Sequence, residues 1–281
     1  MNKIVCFYHK ADMDGKCSGA IIKYIYSNVK LIPFNYGYDI DWSLIDKDTL
    51  VIMTDISVPK EDMLRLKKES GQFIWIDHHI SKINELKDIK FDGLQVNGIA
   101  ACVLTWNFFM NDNNQPIAVR LLGDYDVWNL NQKVLHMQYG IRQYDCDPEN
   151  RIFWKDVFEN NLTKEIIEKG KIIYKYITKT YKQEINSIGF ITELCEYKVL
   201  AANKSHVSSL FFEDHPEVNN VDILMTFSWN GKSWKVSMYT EKDNIDVSKI
   251  CYKFGGGGHK KAAGFTCDYL PVVIADALLW G

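Results

Sequence analysis

The sequence predicts an α/β fold: a mostly parallel, doubly covered sheet in the N-terminal half, then a linker helix, then a smaller C-terminal α+β domain. Three observations carry this. Short apolar, β-branched runs alternate with amphipathic stretches through the first half of the chain. A Lys/Glu-rich segment with apolar residues near helical spacing follows Thr163. Beyond it the pattern changes to strands paired around an Asn-Gly turn.

In order, Lys3 to Tyr8 reads as a strand, Lys16 to Val29 as a helix, Leu50 to Thr54 as a strand, Lys60 to Glu69 as a helix and Phe73 to Ile76 as a strand. Alternation of this kind implies βαβ units and a sheet buried on both faces. Gly98 to Met110 reads as a buried helix and Pro116 to Leu122 as another, stopped by Gly123. Thr163 to Ser187, with Ile166, Ile167, Ile172, Ile173, Tyr176 and Ile177, suits a long connecting helix. Lys198 to Ala202 and Asp222 to Trp229 read as strands. Asn230-Gly231 reads as a turn, Ser233 to Tyr239 as the returning strand and Val247 to Phe254 as a short helix. The expected domains are therefore 1–160, a linker over 161–187, and 188–281.

Composition narrows the function classes. Of 281 residues, 47% are hydrophobic, enough for a sizeable core. The 33 Lys and Arg are outnumbered by 36 Asp and Glu, so no global positive field draws in long duplex nucleic acid. The seven cysteines, at 6, 17, 102, 146, 195, 251 and 267, form no CxxC pair and read as reduced thiols, which suits the cytoplasm. The run Ile4 to Tyr8 is too short for a signal-peptide core, and Gly98 to Met110 falls short of the ~20 residues that span a bilayer. No membrane association is expected.

The acids and histidines cluster by position. His9, Asp12 and Asp14 follow the first strand, Asp55 closes the second, and Asp77, His78 and His79 close the third. In open α/β sheets ligands bind at the carboxyl ends of strands, so three strands deliver carboxylate and imidazole to one edge. Taken singly, Asp12 or Asp14 reads as a helix N-cap and a His pair as filler. Together they suit a pair of divalent transition-metal ions better than calcium, because imidazole joins the carboxylates.

The run Tyr8-His9-Lys10-Ala11-Asp12-Met13-Asp14-Gly15 resembles the first motif of DHH phosphoesterases, Thr54-Asp55 the second, Asp77-His78-His79 the third and Gly123-Asp124-Tyr125-Asp126-Val127-Trp128 the fourth. Phe254-Gly255-Gly256-Gly257-Gly258-His259-Lys260-Lys261-Ala262-Ala263-Gly264-Phe265 is similar to the hallmark of the associated DHHA1 domain. The resemblance implies a dinuclear site, usually manganese, with magnesium, cobalt or iron as alternatives. His9, Asp12 and Asp55 would hold one ion and Asp14, Asp55, His78 and Asp124 the other. His79 would face the substrate phosphate, and Asp77 completes the catalytic pair. The paired cations would activate the attacking water. Asp124 and Asp126 share a face on an extended segment but not on a helix; Asp124 is the expected ligand and Asp126 a supporting acid.

Gly256, Gly257, Gly258 and His259 read as a phosphate or nucleotide cradle, since side-chain-free backbone lets N–H groups approach an anion. Many relatives carry an arginine in the preceding strand, where this chain has Ser237-Met238-Tyr239-Thr240. That opens the alternative that Tyr239 stacks on a base. The expected activity is hydrolysis of phosphate esters in short oligonucleotides or small nucleotides, with an oligomer compatible. Inorganic pyrophosphatase and a non-catalytic nucleotide sensor are the alternatives.

Overall fold

In the computed structural model, residues 3–111 and 114–270 are described here; the last part of the expected C-terminal domain, 271–281, lies outside them. The chain divides into two units between Tyr174 and Lys175. That division falls inside one long helix, so the expected limits at 160 and 188 bracket the place where the units part.

The first unit is built on β1 (Lys3–His9), α1 (Met13–Ile25), β2 (Lys30–Phe34), β3 (Thr49–Thr54), α2 (Lys60–Glu69), β4 (Gln72–Ile76) and α3 (Ile80–Leu86), followed by α4 (Ala101–Met110), α5 (Ile117–Asp126), α6 (Gln132–Ile141) and α7 (Arg151–Phe158). Its sheet is wholly parallel in the order β2-β1-β3-β4. Alternate side chains enter different cores, as the pleat requires. Val5, Phe7, Val51, Met53, Phe73 and Trp75 pack into one. Cys6, Ile52, Ile74 and Ile76 pack into the other. Both faces are covered, which confirms the α/β reading.

Two details differ from expectation for clear reasons. Lys30-Leu31-Ile32-Pro33-Phe34 is a strand despite its proline, because β2 lies at the sheet edge, where a missing N–H on the open side costs nothing. Helix α1 begins at Met13, three residues before the expected Lys16, because Asp12 caps it: the Asp12 carboxylate accepts from the Gly15 N–H at 2.9 Å. Gly15 is required here, since a Cβ would fall 2.0 Å from the His9 carbonyl oxygen.

α8 (Thr163–Ile188) spans the division. The second unit contains β5 (Phe190–Leu194), β6 (Tyr197–Asn203), β7 (Ile223–Trp229), β8 (Trp234–Tyr239), α9 (Val247–Tyr252), β9 (Gly257–Gly258) and β10 (Ala262–Cys267). Its mixed sheet runs β5-β6-β7-β8-β10-β9, with only β6 and β7 parallel among the described pairs. The β7–β8 hairpin turns at Asn230-Gly231 as expected: Gly231 has φ +95°, and the Asn230 side chain accepts from the Lys232 and Ser233 N–H groups. No helix of the described residues is long and apolar enough to cross a membrane.

Candidate metal centre

The ends of β1, β3 and β4 in the parallel sheet contribute to one edge. His9 ends β1, and its Nδ1 lies 2.9 Å from an Asp12 oxygen and 3.5 Å from Asp55. Asp12 thus has two uses, one oxygen capping α1 and the other facing His9. Asp14, in the first turn of α1, is buried. Its two oxygens accept from the Ala101 and Cys102 N–H groups at 2.8 and 2.7 Å, so it also satisfies the N-terminus of α4.

Asp55 follows β3 with φ +60°, a left-handed conformation that aspartate tolerates better than most residues. It donates its N–H to the Ile76 carbonyl, and its buried carboxylate lies between two histidines: His9 on one side, His78 Nε2 at 3.4 Å on the other. His78 Nε2 also lies 3.3 Å from Asp126 and 3.7 Å from Asp14. Asp77 is fully buried. It takes the His78 and His79 N–H groups and the His79 ring Nδ1, the last at 2.6 Å. It positions His79 and stands behind the cluster.

Three overlapping sets have donor atoms close enough to share an ion: His9, Asp12, Asp55; Asp14, His78, Asp126; and Asp55, His78, His79. Asp124 is in none of them. It lies on the last turn of α5, where residues two apart point to different sides, and its carboxylate accepts from the Asn129 side chain at 3.0 Å. Asp126 takes the place beside His78 that Asp124 was expected to hold. The segment is helical, and on a helix only one of the two acids can face the cluster.

The electrostatics are those of acids crowded in a poorly solvated site. Burial, then the neighbouring Asp55, pushes the Asp14 carboxyl up to about 7. Burial and Asp14 push Asp126 to about 7. Asp55 is raised well above the usual carboxylate range by burial and Asp12. Burial pulls His9 down, but Asp12 and Asp55 outweigh it and raise the ring to about 10. His79 rises to about 9, Asp77 outweighing burial in the same way. The cluster therefore holds extra protons to offset its own charge.

The donors fit divalent cations. Buried His9 Nδ1 and Asp55 Oδ2 have no aligned hydrogen bond among the described residues, although they lie in the middle of the cluster. Seven carboxylate and imidazole groups converge here, with no lysine or arginine in an ion pair with them among the described residues, and a cation pair would neutralise the excess of acid.

Residues 3–124 match the DHH family, N-terminal domain. That stretch thus resembles the N-terminal domain of the DHH family. Oligoribonuclease NrnB of Bacillus subtilis (strain 168) is 25% identical over 309 residues, covering 96% of this chain and 75% of that protein. A protein of Acanthamoeba polyphaga mimivirus is 25% identical over 287 residues, covering 93% and 67%. Among solved structures, the pGpG-specific phosphodiesterase PggH of Vibrio cholerae aligns with TM-score 0.54 at 12% identity, covering 99% of this chain and 95% of that one. An exopolyphosphatase-related protein of Bacteroides fragilis aligns at 0.52 and 13%, covering 99% and 90%. These two likenesses are of fold. The DHH-domain match and the likeness to an oligoribonuclease both support a hydrolase of the phosphodiesterase class.

One residue beside the cluster was not singled out in the sequence. Tyr36 packs edge-on against the His9 ring, 5.8 Å between centroids, and against His79 at 6.3 Å. Burial and then Asp77, Asp55 and Asp12 raise its hydroxyl above the usual tyrosine range. The one signal in the sequence was the turn-forming run Asn35-Tyr36-Gly37-Tyr38, with no recognised strand before it.

In the second unit, the glycine run is partly committed to the fold. Gly255 and Gly256 donate their N–H groups to the Tyr252 and Cys251 carbonyls, closing α9. Gly256 allows close packing on Phe265, where a Cβ would fall 2.1 Å from the Gly264 oxygen. Gly257 and Gly258 pair with β10, and exposed His259 begins the hairpin turn. Tyr239 donates its hydroxyl to the Val207 carbonyl at 3.0 Å and packs beside Leu224, so it is a packing residue, not a free stacking platform.

Proposed function

We propose that this chain hydrolyses phosphodiester bonds in short oligonucleotides or linear dinucleotides, with two divalent cations, Mn²⁺ above all, at the strand-end cluster. The observation that supports it most is the convergence of His9, Asp12, Asp14, Asp55, His78 and Asp126 on one sheet edge within a DHH domain. His9, Asp12 and Asp55 would hold one cation. Asp14, His78 and Asp126 would hold the other, and Asp55, within reach of both histidines, would join the two. Paired divalent cations supply Lewis-acid charge at the phosphoryl oxygens and acidify water.

The chain's own groups do the rest. The α4 amides hold the Asp14 carboxylate in place, so no reorganisation is needed when a cation enters. Asp77 holds the Nδ1 side of His79 and so fixes the ring, and the protonated ring that Asp77 favours would donate to the phosphoryl or leaving oxygen. The second unit is assigned the part of a DHHA1 substrate-binding domain, with Gly257, Gly258 and His259 meeting non-reacting parts of the substrate.

Short substrates follow from charge. The chain has formal net charge −3 and no excess of cations to follow a long backbone. The NrnB name points to oligoribonucleotides and the PggH name to pGpG, which sets the assay. Chelated protein, restored with Mn²⁺, is given pGpG, a five-nucleotide RNA, a long RNA and pyrophosphate. Cleavage of the first two and not the others is expected. Preference for pyrophosphate or the long strand would overturn the reading.

A further inference from the structure

We propose that Tyr36 is a substrate-contacting residue, its hydroxyl donating a hydrogen bond to a phosphoryl oxygen of the ester that is cut; this rests on the phosphodiesterase reading above. The argument begins with the turn. Asn35, Tyr36, Gly37 and Tyr38 form a β-turn closed by the Tyr38 N–H on the Asn35 carbonyl at 3.1 Å. Gly37 at φ +81° supplies the left-handed third position. The Asn35 side chain accepts from the Tyr36 N–H at 2.9 Å and fixes the second position. The turn follows edge strand β2, so it stands at the carboxyl edge where the cluster lies.

The two tyrosines it presents differ in what their hydroxyls do. Tyr38 is engaged by the Lys10 ammonium, which also lies over its ring. Tyr36 has no hydrogen-bond partner for its hydroxyl among the described residues, although its ring touches His9 and His79 edge-on. It is also 51% exposed, so one side of the residue remains open beside a buried cluster. A rigidly placed neutral O–H donor, fixed between an imidazole of the cation set and the imidazole assigned to the phosphate, suits an arriving group rich in acceptor oxygens. A phosphodiester has such oxygens, and a nucleobase held by stacking would not need the hydroxyl.

The test separates the hydroxyl from the ring. Tyr36→Phe keeps both ring contacts and removes only the donor, while Tyr36→Ala removes both. With Mn²⁺ present, Tyr36→Phe should lower kcat/KM by roughly 10–100-fold, the range for losing one hydrogen bond to a charged group. The factor should be similar on pGpG and on bis(p-nitrophenyl) phosphate, because the contact is to the phosphoryl group that both share. Mn²⁺ affinity by calorimetry should be unchanged in Tyr36→Phe. Wild-type kcat/KM in Tyr36→Phe, or a loss confined to pGpG, would overturn the proposal. If the wild type turned over neither substrate, the phosphodiesterase reading would fail by itself. Inorganic phosphate binding to the Mn²⁺-loaded protein would then decide the role of Tyr36: weaker binding in Tyr36→Phe supports the contact, and equal binding or none in the wild type refutes it.

Discussion

The acid cluster of the first unit and the glycine–histidine hairpin of the second are equally conspicuous in the sequence, yet the structure supports them differently. In the first unit each candidate side chain is held by something local. Strand ends hold His9, Asp55 and Asp77, helix termini hold Asp12, Asp14 and Asp126, and the acids are crowded enough to take up protons. In the second, the glycines first serve packing. They close α9, lie against Phe265 and pair with β10, so the ligand role proposed for Gly257, Gly258 and His259 falls on residues that the hairpin already holds. A motif built of charged groups shows function through its electrostatic strain. A motif built of glycine must first be relieved of its structural duties.

The contrast can be sharpened by substitution, and the largest effects are expected in the first unit. Asp126→Asn should lower turnover of pGpG by about 10²–10³-fold, the scale for removing one directly acting group. Asp124→Asn, which only releases Asn129, should cost about tenfold or less. Rates and Mn²⁺ occupancy of the two variants check this, and the reverse ranking would return the ligand role to Asp124. Asp77→Asn leaves the cation set intact but frees His79, so kcat should fall roughly 10–100-fold with Mn²⁺ affinity preserved.

Protonation gives a third handle. The carboxyls of Asp14 and Asp126 titrate at about 7 in the folded, cation-free protein against 3.8 unperturbed. The folded state thus binds more protons than the unfolded chain between those values, and that stabilisation is lost as pH rises through them. His9 and His79, at about 10 and 9 against 6.5, add stability that is present below 6.5 and lost on the way up. Both contributions have the same sign, so the Tm of chelated protein should fall steadily from about pH 5 to 9, while Mn²⁺ flattens the curve. A pH-independent Tm in chelator would remove the electrostatic account of the cluster.

The smallest effect is expected in the second unit. His259→Ala should raise KM for pGpG about two- to fivefold and leave bis(p-nitrophenyl) phosphate unaffected, because the contact is assigned to non-reacting parts of the substrate. Equal losses on both would place His259 in the chemistry.

Much of the first unit was legible because two periodic signals coincided, apolar runs of strand length and acids at their carboxyl ends. What escaped has physical causes. Pro33 argues against a strand unless the strand is known to be at an edge, and edge position is a property of the assembled sheet. With β2 unseen, the turn bearing Tyr36 had no element to place it. Asp124 and Asp126 could be ranked only by knowing that α5 continues to Asp126, beyond Gly123, where the sequence suggested a stop. The bonds from the α4 amides to Asp14 link residues 87 and 88 apart in the chain, and no local pattern announces them. In the second unit the β7–β8 hairpin was visible from Asn230-Gly231, whereas the two-residue strand β9 depends on β10 for its existence.

The central claim is that the strand-end cluster holds two catalytic cations with Asp55 between them. It is tested most directly by counting bound Mn²⁺ per chain, after equilibrium dialysis at pH 8, in wild type and Asp55→Ala alongside pGpG turnover. The account predicts two ions and turnover in the wild type, no turnover after chelation, and loss of both tight occupancy and at least about 10³-fold of rate in Asp55→Ala. Undiminished hydrolysis by stringently chelated protein, or by Asp55→Ala, would contradict it.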